Sequence, residues 1–190
     1  MTSRERLSAL CGLWTIVSAV LFTVLVLSLG FAAFGPWTSL IFSSGFVGGL
    51  GLWLAWPGPV ALRDIRTPYI AALVLFALHR VEERFSGFFE ALAKLTGTPT
   101  PPILSWPVIL LVAASVGAWL LVLPLLKRGR PFGAYLAWTF FAALGVTELF
   151  HFVFPLIAFG RLQYFPGMAS VLVLAPVAWW GMSRLARVRP

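Results

Sequence analysis

Residues 79 to 84 read HRVEER, five ionisable side chains in six positions, and they follow the apolar run IAALVLFAL without a break. A second, shorter set lies in TELFHFVFP, where Glu148 and His151 are three residues apart. On a helix that turns about 100° per residue, taking His79 as 0°, Glu82 falls at about 300° and Glu83 at about 40°. All three therefore share a face, which Ser86 and Glu90 extend at about 340° and 20°. Arg80 and Arg84 form an adjoining stripe that can pair with Glu82 or Glu83, and Arg80 can also meet a substrate. Glu148 and His151, at i and i+3, again share one face.

These residue types suit three chemistries. In the first, His79, Glu82, Glu83, Glu148 and His151 ligate a divalent metal such as iron, zinc or manganese, approaching the Glu and Glu-x-x-His sets that helical bundles project inward. In the second, the same five residues do metal-free acid–base catalysis, one carboxyl held protonated by apolar surroundings and a His–Glu pair acting as base. In the third, the two histidines are axial ligands of a haem; the neighbouring carboxylates make this the weakest of the three.

The elements that must position these residues are apolar helices. Apolar residues are 60% of the 190 and charged residues 11%, against about 45–50% and about 25% in soluble proteins. Apolar stretches of about 20 residues, without period-two alternation, select an all-α integral membrane protein. Six spans are expected, at 8–33, 39–61, 69–91, 104–126, 133–158 and 167–183, in one polytopic domain over 1–190. The breaks are FGPWT, RDIRTP, GTPTPP, KRGRPFG and RLQYFPG. The second span is the weakest, because SSGFVGGLG is small and polar and Pro57 and Pro59 interrupt its end; five spans plus a re-entrant piece is the alternative.

Six spans with the N-terminus inside place Arg4, Arg6, Arg63, Arg66, Lys127, Arg128, Arg130, Arg184, Arg187 and Arg189 on one side, and Lys94 and Arg161 on the other. Both termini are then cytoplasmic, and the net charge of +8 marks a membrane rim facing anionic headgroups, with no nucleic-acid partner implied. Arg-dominated basic residues among many Ala and Leu fit a bacterial inner membrane. Cys11, the single cysteine, excludes an internal disulfide and reads as apolar filler.

Counting along the spans, His79 to Glu83 stand roughly 15 to 23 Å above Pro68, and Glu148 and His151 roughly 25 to 30 Å above Pro131. The two sets fall in the same half of the bilayer and can share a pocket. Ionisable residues inside a span cost several kcal/mol and default to function. An Arg–Glu network that only glues helices accounts for the arginines and leaves the histidines unexplained. Aromatic residues around the cluster suit a lipophilic substrate, lipid or isoprenoid-like, and isomerisation, cyclisation or a metal-dependent oxidation are the reactions to expect. The competing class is a proton-coupled transporter using the same residues. Six spans without an inverted repeat are few for a carrier, although a homo-oligomer would compensate. Tyr164, in the FGRLQYFPG loop, stands on the outer rim, where it can bind a substrate headgroup or anchor the interface.

The run LHRVEERF resembles the signature of the HxxEE-motif membrane proteins of bacteria and archaea. QYFPGMASVLVLAPVAWW is similar to that family's Tyr-x-Pro-Gly stretch and last helix, and TELFHFVFP takes the place of its second histidine-bearing helix. The resemblance covers about residues 69–183. It implies a polytopic membrane protein with a motif suggestive of an enzyme, in which His79, Glu82 and Glu83 are the motif, His151 is the second histidine, and Tyr164, Pro166 and Gly167 form the late loop.

Overall fold

The computed structural model describes residues 3–187, with side-chain surroundings from residue 12 onward. The side chains of Arg4, Arg6 and Cys11 lie outside what is described, and Arg189 lies outside the described residues altogether. The described chain is all helical: α1 Ser3–Ala55, α2 Leu62–Ser86, α3 Phe88–Thr96, α4 Trp106–Leu120, α5 Val122–Lys127, α6 Pro131–Gly145, α7 Phe150–Phe159 and α8 Met168–Arg187. A 3₁₀ turn at Thr147–Leu149 joins α6 to α7. Among the described residues, four helical stretches are long and apolar enough to cross a membrane: Gly12–Ala55, Trp106–Lys127, Pro131–Phe159 and Met168–Arg187.

The first of these is folded in two. Gly35 has φ 72° and ψ −177°, a conformation that glycine adopts without a Cβ penalty, and Pro36 then starts a new helix with a fixed φ. Phe34 stacks near Phe42 at 5.2 Å and Phe22 near Phe46 at 6.1 Å between ring centroids, contacts that only a reversal of the chain permits. The expected spans 8–33 and 39–61 are thus two limbs of one hairpin whose connection is a single residue. The second limb stops at Ala55, short of the expected 61, because Pro57 and Pro59 cannot continue it.

The small residues of the second limb form its packing face. A Cβ on Gly45 would come within 2.5 Å of the Ala143 Cα, and one on Gly49 within 2.6 Å of the Thr139 nitrogen. Four residues apart on each helix, these pairs let two backbones approach as small-xxx-small interfaces do. Helix α6 is consequently buried at every residue from Gly133 to Gly145, and Gly181 of α8 sits against the Phe141 ring on its other side. Tyr69 of α2 donates its hydroxyl to the Trp119 carbonyl, and Tyr135 of α6 bonds Thr23 at 2.7 Å, so the buried phenols tie helices together.

Helix α2 departs from expectation at both ends. It runs through Thr67–Pro68, where RDIRTP was expected to break the chain, because Pro68 deprives only the first turn of a hydrogen bond partner. Its other end is Gly87, φ 77°, whose N–H bonds the Glu83 carbonyl, a left-handed cap. The expected span 69–91 is therefore replaced by a helix over 62–86 and a separate short helix, α3. Glu90 does not extend the acidic stripe; it is exposed on α3. Helix α2 is not among the four apolar stretches, because charged residues stand at both ends of its apolar run, Arg63 to Arg66 on one side and Arg80 to Arg84 on the other.

Candidate metal centre

The earlier start of α2 brings the two polar sets level. His79 lies seventeen residues beyond Leu62 and Glu148 seventeen beyond Pro131, so each stands about 25 Å along its helix. The 3₁₀ turn Thr147–Leu149 carries Glu148 and leads directly into α7, whose second residue His151 meets Glu148 across an i,i+3 spacing.

The result is a four-residue cluster. Ligand atoms of His79, Glu83, Glu148 and His151 all lie within 4.8 Å of one another. His79 Nε2 is 3.1 Å from Glu148 Oε2 and 3.4 Å from Glu83 Oε1; His151 Nε2 is 3.2 and 3.3 Å from the same two oxygens. His79, Glu83 and His151 are at most 3% exposed, and Glu148 is 12% exposed. On the outer side Arg80 clips the pair: Nη1 reaches Glu83 Oε2 and Nη2 reaches Glu148 Oε1, each at 2.7 Å. Each carboxylate thus gives one oxygen to Arg80 and turns the other inward.

The far ring nitrogens decide which way the imidazoles are protonated. His151 Nδ1 lies 2.5 Å from the Pro166 carbonyl, which can only accept, so Nδ1 carries the hydrogen. His79 Nδ1 lies 2.7 Å from Ser170 Oγ; that hydroxyl already donates to the Gly167 carbonyl at 3.1 Å, so it accepts from His79. Both Nε2 atoms then point into the cluster, and the network assigns this, as it must without visible hydrogens. Two imidazole nitrogens and two carboxylate oxygens converge, and Glu83 Oε1 is buried without a hydrogen-bond partner among the described residues. Four ligands held about 2.0–2.2 Å from one ion stand about 3 to 4 Å apart, which the N···O separations match. The two-His, two-carboxylate donor set suits zinc, iron(II) or manganese. Haem fits poorly, since the carboxylate oxygens occupy the space between the Nε2 atoms where a macrocycle would pass.

The turn that opens α8 holds the histidines. Gly167 has φ 94°, and a Cβ there would lie 2.7 Å from His151 Nδ1 and 3.0 Å from His79 Cε1. Phe88 covers His151 with ring centroids 4.8 Å apart. Glu82 is not in the cluster: Oε1 accepts from the Ala169 N–H at 3.1 Å and Oε2 from the Ser170 N–H at 2.8 Å. Its carboxylate caps the N-terminus of α8, where unpaired N–H groups and the helix dipole favour negative charge. Tyr164 donates to the same carboxylate at 2.9 Å; burial and then the Glu82 charge hold its phenol above its ordinary range. The structure thus unites four of the five candidate residues and places Glu82 and Tyr164 on the α8 turn beside them. Ser170, His79's partner, carries no signal in the sequence beyond its place near the start of a helix.

A cavity of about 350 Å³ lies alongside. Phe34, Phe42, Phe46, Phe76 and Trp119 line it, Arg80 and Glu148 are its charged residues, and Ser43, Ser115 and Thr147 add hydroxyls to the wall. Arg80 also lies over the Phe76 ring, 5.0 Å from its centroid.

Fold and site together define a helical protein, with helices apolar enough to cross a membrane, around a buried His/Glu group able to bind a metal ion. No protein-family model, curated protein or solved structure matches the chain.

Proposed function

We propose that this is an integral membrane enzyme that binds one divalent metal ion through His79, Glu83, Glu148 and His151 and acts on a lipophilic substrate in the adjoining cavity. The observation that carries the reading is the double membership of Glu148, which belongs both to the four-ligand cluster and to the wall of an aromatic cavity. Membrane residence is supported by the four apolar stretches and by large apolar side chains left exposed around them, among them Trp14, Phe31, Trp37, Ile157 and Leu172, more than a soluble surface carries. Six crossings follow if the two limbs of α1, then α2, α4–α5, α6–α7 and α8 each traverse the bilayer. The arginines and lysine at the start of α2, the α5–α6 corner and the end of α8 mark the cytoplasmic side of a bacterial inner membrane. The likeness of LHRVEERF to the HxxEE signature belongs to the same reading, with His79 and Glu83 as ligands and Glu82 as the cap of α8.

A divalent ion here would act as a Lewis acid toward an oxygen of the substrate. Arg80 fixes the orientation of both carboxylates, Ser170 and Pro166 fix the imidazoles, and the phenylalanines around them exclude water. Elemental mass spectrometry of the purified protein tests the reading, with a His79→Ala, His151→Ala double variant beside the wild type. Near-stoichiometric zinc, iron or manganese that disappears in the variant is the expected outcome. Folded protein without metal in both would refute it, and would leave metal-free acid–base chemistry or proton transport to be separated in liposomes.

A further inference from the structure

Charge balance at the cluster narrows the substrate. With both imidazoles neutral, Glu83 and Glu148 contribute two negative charges and Arg80 one positive, so the group carries a net charge of minus one. A divalent ion turns this into plus one. The nearest further carboxylate, Glu82, is already matched by the α8 N-terminus and Tyr164, and Arg84 is exposed. An uncompensated charge among buried apolar helices is costly, and such sites recruit a counter-charge.

The 350 Å³ cavity reaches both Arg80 and Glu148 and stands at the small end of ligand sites, which run about 300–1,000 Å³. Most of the rest of its wall is apolar, with Ser43, Ser115 and Thr147 interspersed, and Val112 of α4, 53% exposed, lines it and also faces outward. A ligand can therefore enter sideways from the lipid. Arg80 keeps 34% of its side-chain surface accessible and offers N–H groups beyond the two it gives to the glutamates.

We infer that the metal-loaded centre binds a single-chain carboxylate, a fatty-acid-like monoanion whose head neutralises the metal and Arg80 and whose chain fills the aromatic cavity. This rests on the metal reading proposed above. Equilibrium binding of radiolabelled dodecanoate and dodecanol to the full-length protein in nanodiscs, corrected with empty nanodiscs, tests it with zinc loaded and with zinc removed. Zinc-loaded protein is expected to bind dodecanoate at least about tenfold more tightly than dodecanol, and zinc-free protein to lose that preference. Ser115→Phe and Val116→Phe, which fill the cavity from α4 without touching the cluster, are expected to keep zinc and lose dodecanoate. Zinc-loaded wild type that binds both compounds alike, or filled variants that still bind dodecanoate, would overturn the inference and leave the metal centre standing. Failure of the wild type to hold zinc would refute the centre, and the carboxylate site with it.

Discussion

Replacing Ser170 by alanine removes one oxygen that touches no candidate ligand atom of the centre, yet it should weaken metal binding. Ser170 Oγ is the acceptor 2.7 Å from His79 Nδ1, and His79 is fully buried. Without that acceptor the Nδ1–H is stranded, a loss of about 1–3 kcal/mol, or the ring moves its hydrogen to Nε2 and loses the lone pair that would meet the ion. Loss of such an orienting partner typically lowers metal affinity about 10- to 100-fold, which is about 1.4 to 2.7 kcal/mol. Cobalt(II) titration followed by its visible absorption reads both quantities, the affinity and the ligand geometry. Ser170→Thr restores the hydroxyl and should recover most of the affinity. Ser86→Ala removes a hydroxyl that donates to the Glu82 backbone carbonyl at 2.6 Å and otherwise meets the Tyr164 phenol, away from the four ligand atoms, and should leave affinity unchanged. A Ser170→Ala protein with cobalt affinity within twofold of wild type and an unaltered spectrum would refute the tautomer assignment and the orienting role.

Adjacent glutamates in the motif should separate cleanly. Glu83→Gln is expected to abolish stoichiometric metal, whereas Glu82→Gln should retain it and lower stability by about 0.3–1 kcal/mol through loss of the charge at the α8 N-terminus; metal analysis and thermal unfolding in detergent check the pair. Gly167→Ala places a Cβ against both imidazoles at a φ that alanine disfavours, and should cost metal as well as about 1–3 kcal/mol of stability, read by the same two assays. Gly45→Val should disrupt the packing on Ala143, by at least the 1–3 kcal/mol typical of overpacking, while Gly48→Ala and Gly51→Ala meet open space and should be tolerated. Chelation should lower the thermal midpoint of the wild type and leave the His79→Ala, His151→Ala variant unmoved, since a ligand at about 1,000 times its Kd stabilises by about 4 kcal/mol.

Much of this arrangement can be read in the order of residues. Apolar run lengths and Pro/Gly clusters locate the long helical stretches but not the breaks inside 69–91, 104–126 and 133–158, and the helical angles of His79 and Glu83 place them together before any packing is known. What local pattern cannot resolve is which of two flanking carboxylates turns toward a partner. Glu82 and Glu83 straddle His79, and the choice between them is made by α8, some eighty residues away, whose N-terminal N–H groups claim Glu82. The end of α2 is hidden for a different reason: Phe85, Phe88 and Phe89 keep the run apolar across Ser86–Gly87, so the left-handed cap is masked by continuous hydropathy. The second limb misleads in the opposite direction. SSGFVGGLG looks too small and polar for a secure span, yet Gly45 and Gly49 are what allow α6 to come close enough for total burial.

Arg80 favours reading the cluster as a ligand site over an internal salt-bridge knot. Two carboxylates facing two neutral imidazoles would repel, and a lysine, as a single point charge, would draw both glutamates to one place. The guanidinium offers two separate N–H edges in a fixed plane, and it uses one on each glutamate at 2.7 Å. That grip leaves Glu83 Oε1 and Glu148 Oε2 side by side and facing the histidines, and it leaves Glu83 Oε1 without a donor. A network that existed only to bind helices together would satisfy that oxygen, because an unpaired buried acceptor costs more than the hydrogen bond it forgoes. Arg80→Lys should therefore keep the helices assembled while loosening the carboxylate geometry, so that metal affinity falls with little change in the unfolding midpoint of the metal-free protein. If instead the metal-free protein unfolds and affinity in the surviving fraction is normal, Arg80 is a structural tie and the convergence of the four ligand atoms has another cause.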